Sequence, residues 1–370
     1  MKNILILGAG NAQIDAIEYL KARSGLNVHA CSWSSSDRGA GIADKFVKIS
    51  ISDVEKIYEY AKANYIDCIY SVGSDLAMPT IAEVSERLGL PCFMSPDLPI
   101  ICNNKHLLRG TLGEEFDGNI KFMVAETYSD LRDWDYYPCV IKPVDSQGQR
   151  GVYEVWNAVD LKKHFNTSMS FSRSKKLIVE EYADGPEFSV NCFFCCGKIE
   201  FSLVSDRIVF DEYPGGIIKE HRVPSLASHE TKTQILDLVK HSAEKLNIQD
   251  GPAYYQIKLS KSIPKIIEIT PRLDGCHMWK LIKYYCGNDL LDATFEYLLE
   301  GIKPNLKYKF QNNDYSLAFM CEKPHESFKR SKYDVENVSD LVWYYRDGEI
   351  VAPLNGHMEK CGYVIREIAG

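Results

Sequence analysis

The residues best suited to chemistry fall in three separated segments of the chain. The first is Cys139-Val140-Ile141-Lys142-Pro143, an apolar strand pattern ending in a lysine. A small polar loop follows, from Ser146 through Gln147 and Gly148 to Gly151. A lysine at a strand end, beside a loop that can turn backbone N–H groups inward, is equipped for an anion such as a nucleotide's phosphates. On its own the stretch reads more readily as a solvated hairpin. The second segment is Glu180-Glu181-Tyr182-Ala183, then Gly185-Pro186-Glu187. A strand leaving its sheet edge offers backbone C=O and N–H groups to an adenine. The carboxylate of Glu187 can accept both hydroxyls of a ribose. The plain alternative is a solvated acidic turn.

The third segment joins Gln256 to Glu268-Ile269-Thr270-Pro271-Arg272. Period-two alternation puts Glu268 and Thr270 on one strand face, and a hairpin lets Gln256 share it. A carboxylate flanked by neutral oxygen donors suits Mg²⁺, and an arginine beside it can stabilise a phosphoryl group in transfer. An internal Glu268–Arg272 ion pair is the structural alternative.

These segments need elements to hold them. Ile4–Leu7 is a continuous apolar strand, followed by a helix pattern to Lys21. Strand and helix patterns alternate to about residue 90, where Leu88 and Gly89 mark a helix stop with Pro91 behind it. That alternation predicts a parallel α/β lobe over residues 1–100. Residues 101–304 form the chemical unit, with a lid at about 115–180. Residues 305–370 carry further strand patterns and read as a small β-rich appendage, which either completes the pocket or makes a homodimer interface. The turn Gly8-Ala9-Gly10 resembles a dinucleotide site, but Gln13 stands where a third glycine is needed, and Cys31-Ser32-Trp33 supplies no acidic ribose ligand.

Bulk properties narrow the classes. A net charge of −8 disfavours a broad nucleic-acid surface. No apolar run reaches the ~18–20 residues needed to cross a bilayer, and the N-terminus has no leader pattern. With 45% apolar and 25% charged residues, a cytoplasmic globular protein with reduced cysteines is expected.

Taken together and in this order, the motifs resemble the ATP-grasp superfamily, specifically the carboxylate–amine ligases and the synthetase domains of carbamoyl-phosphate synthase. The similarity covers about residues 1–300. Lys105, after Asn104, is similar to the family's first phosphate lysine and Lys142 to its second. Ser146–Gly151 is similar to its mobile loop. Glu180–Ala183 with Glu187 resembles its adenine and ribose segment, and Glu268-Ile269-Thr270-Pro271-Arg272 its metal strand, where asparagine is usual in place of Thr270. Gln256 matches the carbamoyl-phosphate synthase branch.

The resemblance implies a Rossmann-like pre-grasp lobe followed by a two-lobed α+β ATP-grasp domain. It further implies ATP and Mg²⁺ (or Mn²⁺) as cofactors. A small-molecule carboxylate would be activated as an acyl phosphate and coupled to an amine. Lys142, Arg272 and Arg207 are the catalytic candidates. Arg207, His221, Arg222, Asp274, Gly275 and His277 are candidates for the substrate pocket. The rival readings are an ATP-binding module without turnover and an NAD(P)-dependent oxidoreductase.

Overall fold

The computed structural model describes residues 1–145, 150–211, 216–307, 313–353 and 358–368. Three sheets are present among them. The first is a parallel sheet in the order β3-β2-β1-β4, made of β1 (Lys2–Leu7), β2 (Leu26–Ser32), β3 (Lys45–Lys48) and β4 (Ile66–Tyr70). Helices α1 (Asn11–Lys21), α2 (Val54–Ala63) and α3 (Met78–Leu88) connect and cover these strands. Ile4–Leu7 of β1 is fully buried, as its unbroken apolar run requires. Two further helices, α4 (Asp97–Asn103) and α5 (Lys105–Leu112), lead out of this lobe.

The lid is a four-stranded sheet in the order β5-β8-β6-β7, with β5 (Phe122–Ala125), β6 (Cys139–Pro143), β7 (Tyr153–Val155) and β8 (Leu177–Glu181). Helix α6 (Ala158–Ser170) packs Leu161 and Phe165 onto it, and the lid has its own core around Trp134, Cys139, Ile141 and Val179.

The third sheet has eight strands, in the order β13-β12-β9-β10-β11-β14-β16-β15. It contains β9 (Glu187–Cys195), β10 (Lys198–Val209), β11 (Ile218–Val223), β12 (Gly251–Ser260) and β13 (Ile263–Thr270). Helices α7 (His229–Lys245), α8 (Met278–Cys286) and α9 (Leu290–Glu300) belong to this half. The tail strands β14 (Asp314–Glu322), β15 (Asp340–Trp343) and β16 (Glu359–Ile368) extend the same sheet, because β14 pairs with β11. The tail is β-rich as expected and is structurally continuous with the chemical unit. No helix among the described residues is long and apolar enough to cross a membrane.

The parallel lobe meets the large sheet at a contact that only glycines permit. A Cβ built on Gly73 would lie 2.5 Å from the Cα of Gly275, and Gly73 has φ +67°. Gly73→Ala is therefore expected to lower stability by about 2–3 kcal/mol through backbone strain and steric overlap. Thermal melting checks this, and a wild-type melting temperature would show that the contact can relax.

Candidate functional site

The site is assembled around the carboxylate of Glu180, at the end of β8. Glu180 is 3% exposed, and Arg109 on α5 is 1% exposed. Arg109 Nε donates to Glu180 Oε1 at 2.8 Å, and the Lys142 ammonium pairs with Oε2. Arg109 also donates to the carbonyls of Ile266 at 2.7 Å and Ile267 at 3.2 Å, on β13. One guanidinium thus ties α5, the lid and the large sheet to one another. Burial alone would raise the pKa of Glu180, but Arg109 and then Lys142 overcome it and hold the value at about 2. Burial draws Lys142 below the usual lysine value, opposed chiefly by Glu180. The pair is read as charged, since a carboxylate between two cations stays ionised.

The Glu180 side chain is therefore a structural anchor, and a nucleotide base would have to use its neighbours' backbone. The Glu181 N–H donates to Lys121 and the Tyr182 N–H to Pro138. The buried Ala183 follows immediately beyond the strand, where its N–H takes no strand partner among the described residues. Glu187 Oε1 accepts from Arg207 and from the side-chain amide of Gln256, while Oε2 takes neither. Lys105 stands at the first turn of α5, close enough to Lys142 and Glu268 to influence both electrostatically. Gly151 has φ +75° and packs between Pro143 and Phe171. Ser146, Gln147 and Gly148 lie outside the described residues.

The oxygen donors gather where β12 and β13 pair. Gln256 faces Glu268 and Tyr254 faces Thr270 in the ladder. Desolvation, with the Asp75 carboxylate second, pushes Glu268 above the usual carboxylate range. A divalent cation would reverse that. Thr270 is 1% exposed and its Oγ1 has no partner among the described residues. A buried hydroxyl oxygen left unpaired costs about 1–3 kcal/mol, so a group that accepts it is expected. Glu268, the Thr270 hydroxyl and the Gln256 amide oxygen form a hard-oxygen set that fits Mg²⁺. The internal Glu268–Arg272 pair is not formed. Arg272 instead binds Asp75, through Nε at 2.7 Å and a terminal nitrogen at 2.6 Å.

Among the pocket candidates, strand alternation separates His221 from Arg222. His221 points into the protein, fully buried. Arg222 points outward and binds Glu220 at 2.9 and 3.0 Å, away from the face that His221 joins. His277 has both of its ring nitrogens engaged by other parts of the fold. Its ring nitrogens are taken by Asp15 of α1 at 2.8 Å and by Tyr344 at 2.7 Å, which makes it a lobe-to-lobe brace. Asp274 and Gly275 line the turn over the large sheet, where Asp274 Oδ1 accepts from the Cys276 N–H. The glycine turn at 8–10 is closed by Gln13, whose side chain accepts from the Gly10 N–H and donates to the Val72 carbonyl. That is a reason internal to the fold for a glutamine where dinucleotide helices carry glycine.

Two residues of this cluster carry no assigned role in the sequence. Arg109 sits in an ordinary amphipathic helix, with no signal of its own. Asp75 had a usable signal: it follows the turn after β4, at the carboxyl edge of a parallel sheet, where α/β sites gather.

The lid lysine, the Arg109–Glu180 anchor and the strand pair carrying Gln256, Glu268 and Thr270 come together where the four-stranded sheet meets the eight-stranded sheet. Comparison with known proteins gives the family. Residues 136–279 match the ATP-grasp domain. The chain is 24% identical to phosphoribosylamine–glycine ligase of Caldanaerobacter subterraneus subsp. tengcongensis, over 94% of this chain and 89% of that protein. It is 22% identical to carnosine synthase 1 of Mus musculus over 86% of this chain, which is 42% of that longer protein. The L-amino acid ligase structure from Bacillus licheniformis superposes with a TM-score of 0.80 at 18% identity, covering 100% of this chain and 94% of that one. Residues 136–279 thus carry an ATP-grasp domain, and over most of its length the chain resembles carboxylate–amine ligases of the ATP-grasp superfamily.

Two outcomes are expected. The stabilisation from Glu180 is fully present above about pH 4.5, its ordinary value, and is lost as the pH falls toward about 2. Glu180→Gln should remove that acid dependence and destabilise the fold by about 3–5 kcal/mol, since two buried cations lose their partner. Urea unfolding at pH 7 and pH 3 reads both; equal losses for both proteins between those pH values would contradict the assignment. Thr270→Val should leave the melting temperature at or above wild type while weakening Mg²⁺-dependent ATP binding, measured by calorimetry.

Proposed function

We propose that this chain is an ATP- and Mg²⁺-dependent ligase that activates a small-molecule carboxylate and couples it to an amine. The observation that carries the reading is the shared anchoring of three site-forming segments through Arg109 and Glu180, beside the oxygen set of Gln256, Glu268 and Thr270. Such a clamp holds reactants in line, and placement with charge neutralisation supplies most of what phosphoryl transfer needs.

In the first step a carboxylate oxygen of the substrate attacks the γ-phosphorus of ATP and the bond to ADP breaks, leaving an acyl phosphate. Lys142 and Lys105 neutralise the phosphate oxygens, and Arg272, oriented by Asp75, faces the group in transfer. Ala183 N–H and the carbonyl of Glu181 serve the adenine, and Glu187 Oε2 the ribose. Glu268, Thr270 and Gln256 would hold Mg²⁺, which would supply charge neutralisation at the phosphates. In the second step the amine attacks the acyl carbon, phosphate leaves, and the amine loses a proton to solvent or phosphate. The intact set of cations and oxygen ligands supports turnover over storage of ATP alone. A cytoplasmic location is consistent with this chemistry, and a homodimer is compatible with it.

The test is to supply ATP, Mg²⁺, hydroxylamine and a panel of carboxylic acids. Hydroxamate and acid-dependent ADP are expected; neither appearing with any acid would contradict the proposal. Lys142→Ala should abolish the rise in melting temperature caused by ATP. Glu268→Ala should lose turnover by about 10²-fold or more while binding falls less. Wild-type turnover in Glu268→Ala would remove the metal assignment.

A further inference from the structure

Beyond Arg272 lies a second cluster of buried polar side chains, several with atoms that have no partner among the described residues. Cross-strand pairing turns Thr270, Tyr254, Asn191, Arg207 and His221 to one face of the large sheet. The turn carrying Asp274 and Cys276 approaches this face. Asn191 Nδ2, Arg207 Nε, both ring nitrogens of His221 and Asp274 Oδ2 are buried without a partner among the described residues. Folded proteins leave only a few such atoms per hundred residues. Several converging on one space mark a place that a polar ligand completes.

The charges say which ligand. His221, Asp274 and Cys276 bring ligand atoms within 4.8 Å of one another, a spacing a metal ion could use. Two cations oppose that. The Lys360 ammonium, from tail strand β16, stands 3.4 Å from Cys276 Sγ, and the Arg207 guanidinium faces the same group of residues. Arg207 is balanced by Glu187. Lys360 touches the thiol and lies 3.6 Å from the centre of the Phe319 ring, and it makes no carboxylate ion pair among the described residues. The Cys276 thiol is pushed up to about 11 by burial, so it stays neutral and does not satisfy the ammonium. His221 is neutral as well. A half-buried cation without a counter-charge favours an anion over a metal ion. The open oxygen of Asp274, by contrast, calls for a donor, best a cationic one.

We propose that Lys360 and Asp274 are specificity residues of the acid pocket. Lys360, helped by a ring N–H of His221, takes a second anionic group of the substrate, and Asp274 takes its ammonium group. The carboxylate substrate is then an acidic amino acid with two carboxylates, one activated and one held. This rests on the ligase reading above and assigns the tail a role in the pocket, since Lys360 is supplied by β16.

The experiment compares L-glutamate and L-aspartate with three partial analogues: glutarate, which lacks the ammonium, L-glutamine, which lacks the second charge, and butyrate, which lacks both. Turnover is read as kcat/KM for ADP release with hydroxylamine, and binding by calorimetry. An acidic amino acid should exceed every analogue by about tenfold or more. Lys360→Met should lose the preference over glutamine through KM, and Asp274→Asn the preference over glutarate, with the ATP-induced melting shift confirming folded protein. Charge reversal by Lys360→Glu should disfavour glutamate relative to glutamine. Turnover that favours neutral or monocarboxylic acids, or an unchanged preference in folded Lys360→Met, overturns this inference and leaves the ligase reading standing. No turnover and no binding heat with any acid overturns both.

Discussion

The structure depends on one buried carboxylate. Glu180 sits between Arg109 and Lys142, and Arg109 reaches on to the β13 backbone. Three charges out of water would be costly singly. Each here has a counter-charge or a carbonyl, so the cluster is stable only with all its members in place. The consequence is geometric. The lid strand that carries Lys142, the helix that opens with Lys105 and the strand that carries Glu268 are positioned by the same few contacts. In the proposed function, the lysines that would meet the phosphates and the oxygens that would hold the metal are thus set relative to one another by the fold itself, a preorganisation that phosphoryl transfer would exploit.

A second set of contacts joins the parallel lobe to this clamp. Asp75 holds Arg272, Asp15 holds His277, and Gly73 meets Gly275. All three come from loops or helix starts at the carboxyl ends of β1 and β4, where an α/β sheet presents its binding edge. The parallel lobe therefore orients the arginine and, in the proposed function, would form a wall of the acid pocket. Its glycine turn is locked by Gln13, which leaves no dinucleotide cradle.

Much of this was legible in the sequence because it is local. The strand–helix alternation to residue 90, the lysine strand, the two-strand metal hairpin and α7 each carry a period or a punctuating residue. The order of the motifs carried the nucleotide reading. What escaped was non-local. Nothing in the tail says that β14 pairs with β11 and so brings Lys360 beside Cys276. Nothing marks Arg109 as the partner of Glu180, 71 residues away. Strand β11, with its mixed Lys-Glu-His-Arg run, shows no apolar alternation, so the sequence puts His221 and Arg222 together as pocket candidates although they face opposite ways. Helix α8 was hidden by its aromatic residues and by the Pro271 and Gly275 before it.

The central claim is that the clamp activates a carboxylate as an acyl phosphate before the amine reacts. Positional isotope exchange tests it most directly. ATP carrying ¹⁸O in the β–γ bridge would be incubated with the protein, Mg²⁺ and the best acid, without amine. Reversible acyl phosphate formation predicts migration of the label from the bridge into the non-bridging β positions, dependent on the acid. Full amide-forming turnover on adding amine, with no exchange in its absence under conditions where bound ADP can rotate, would contradict it.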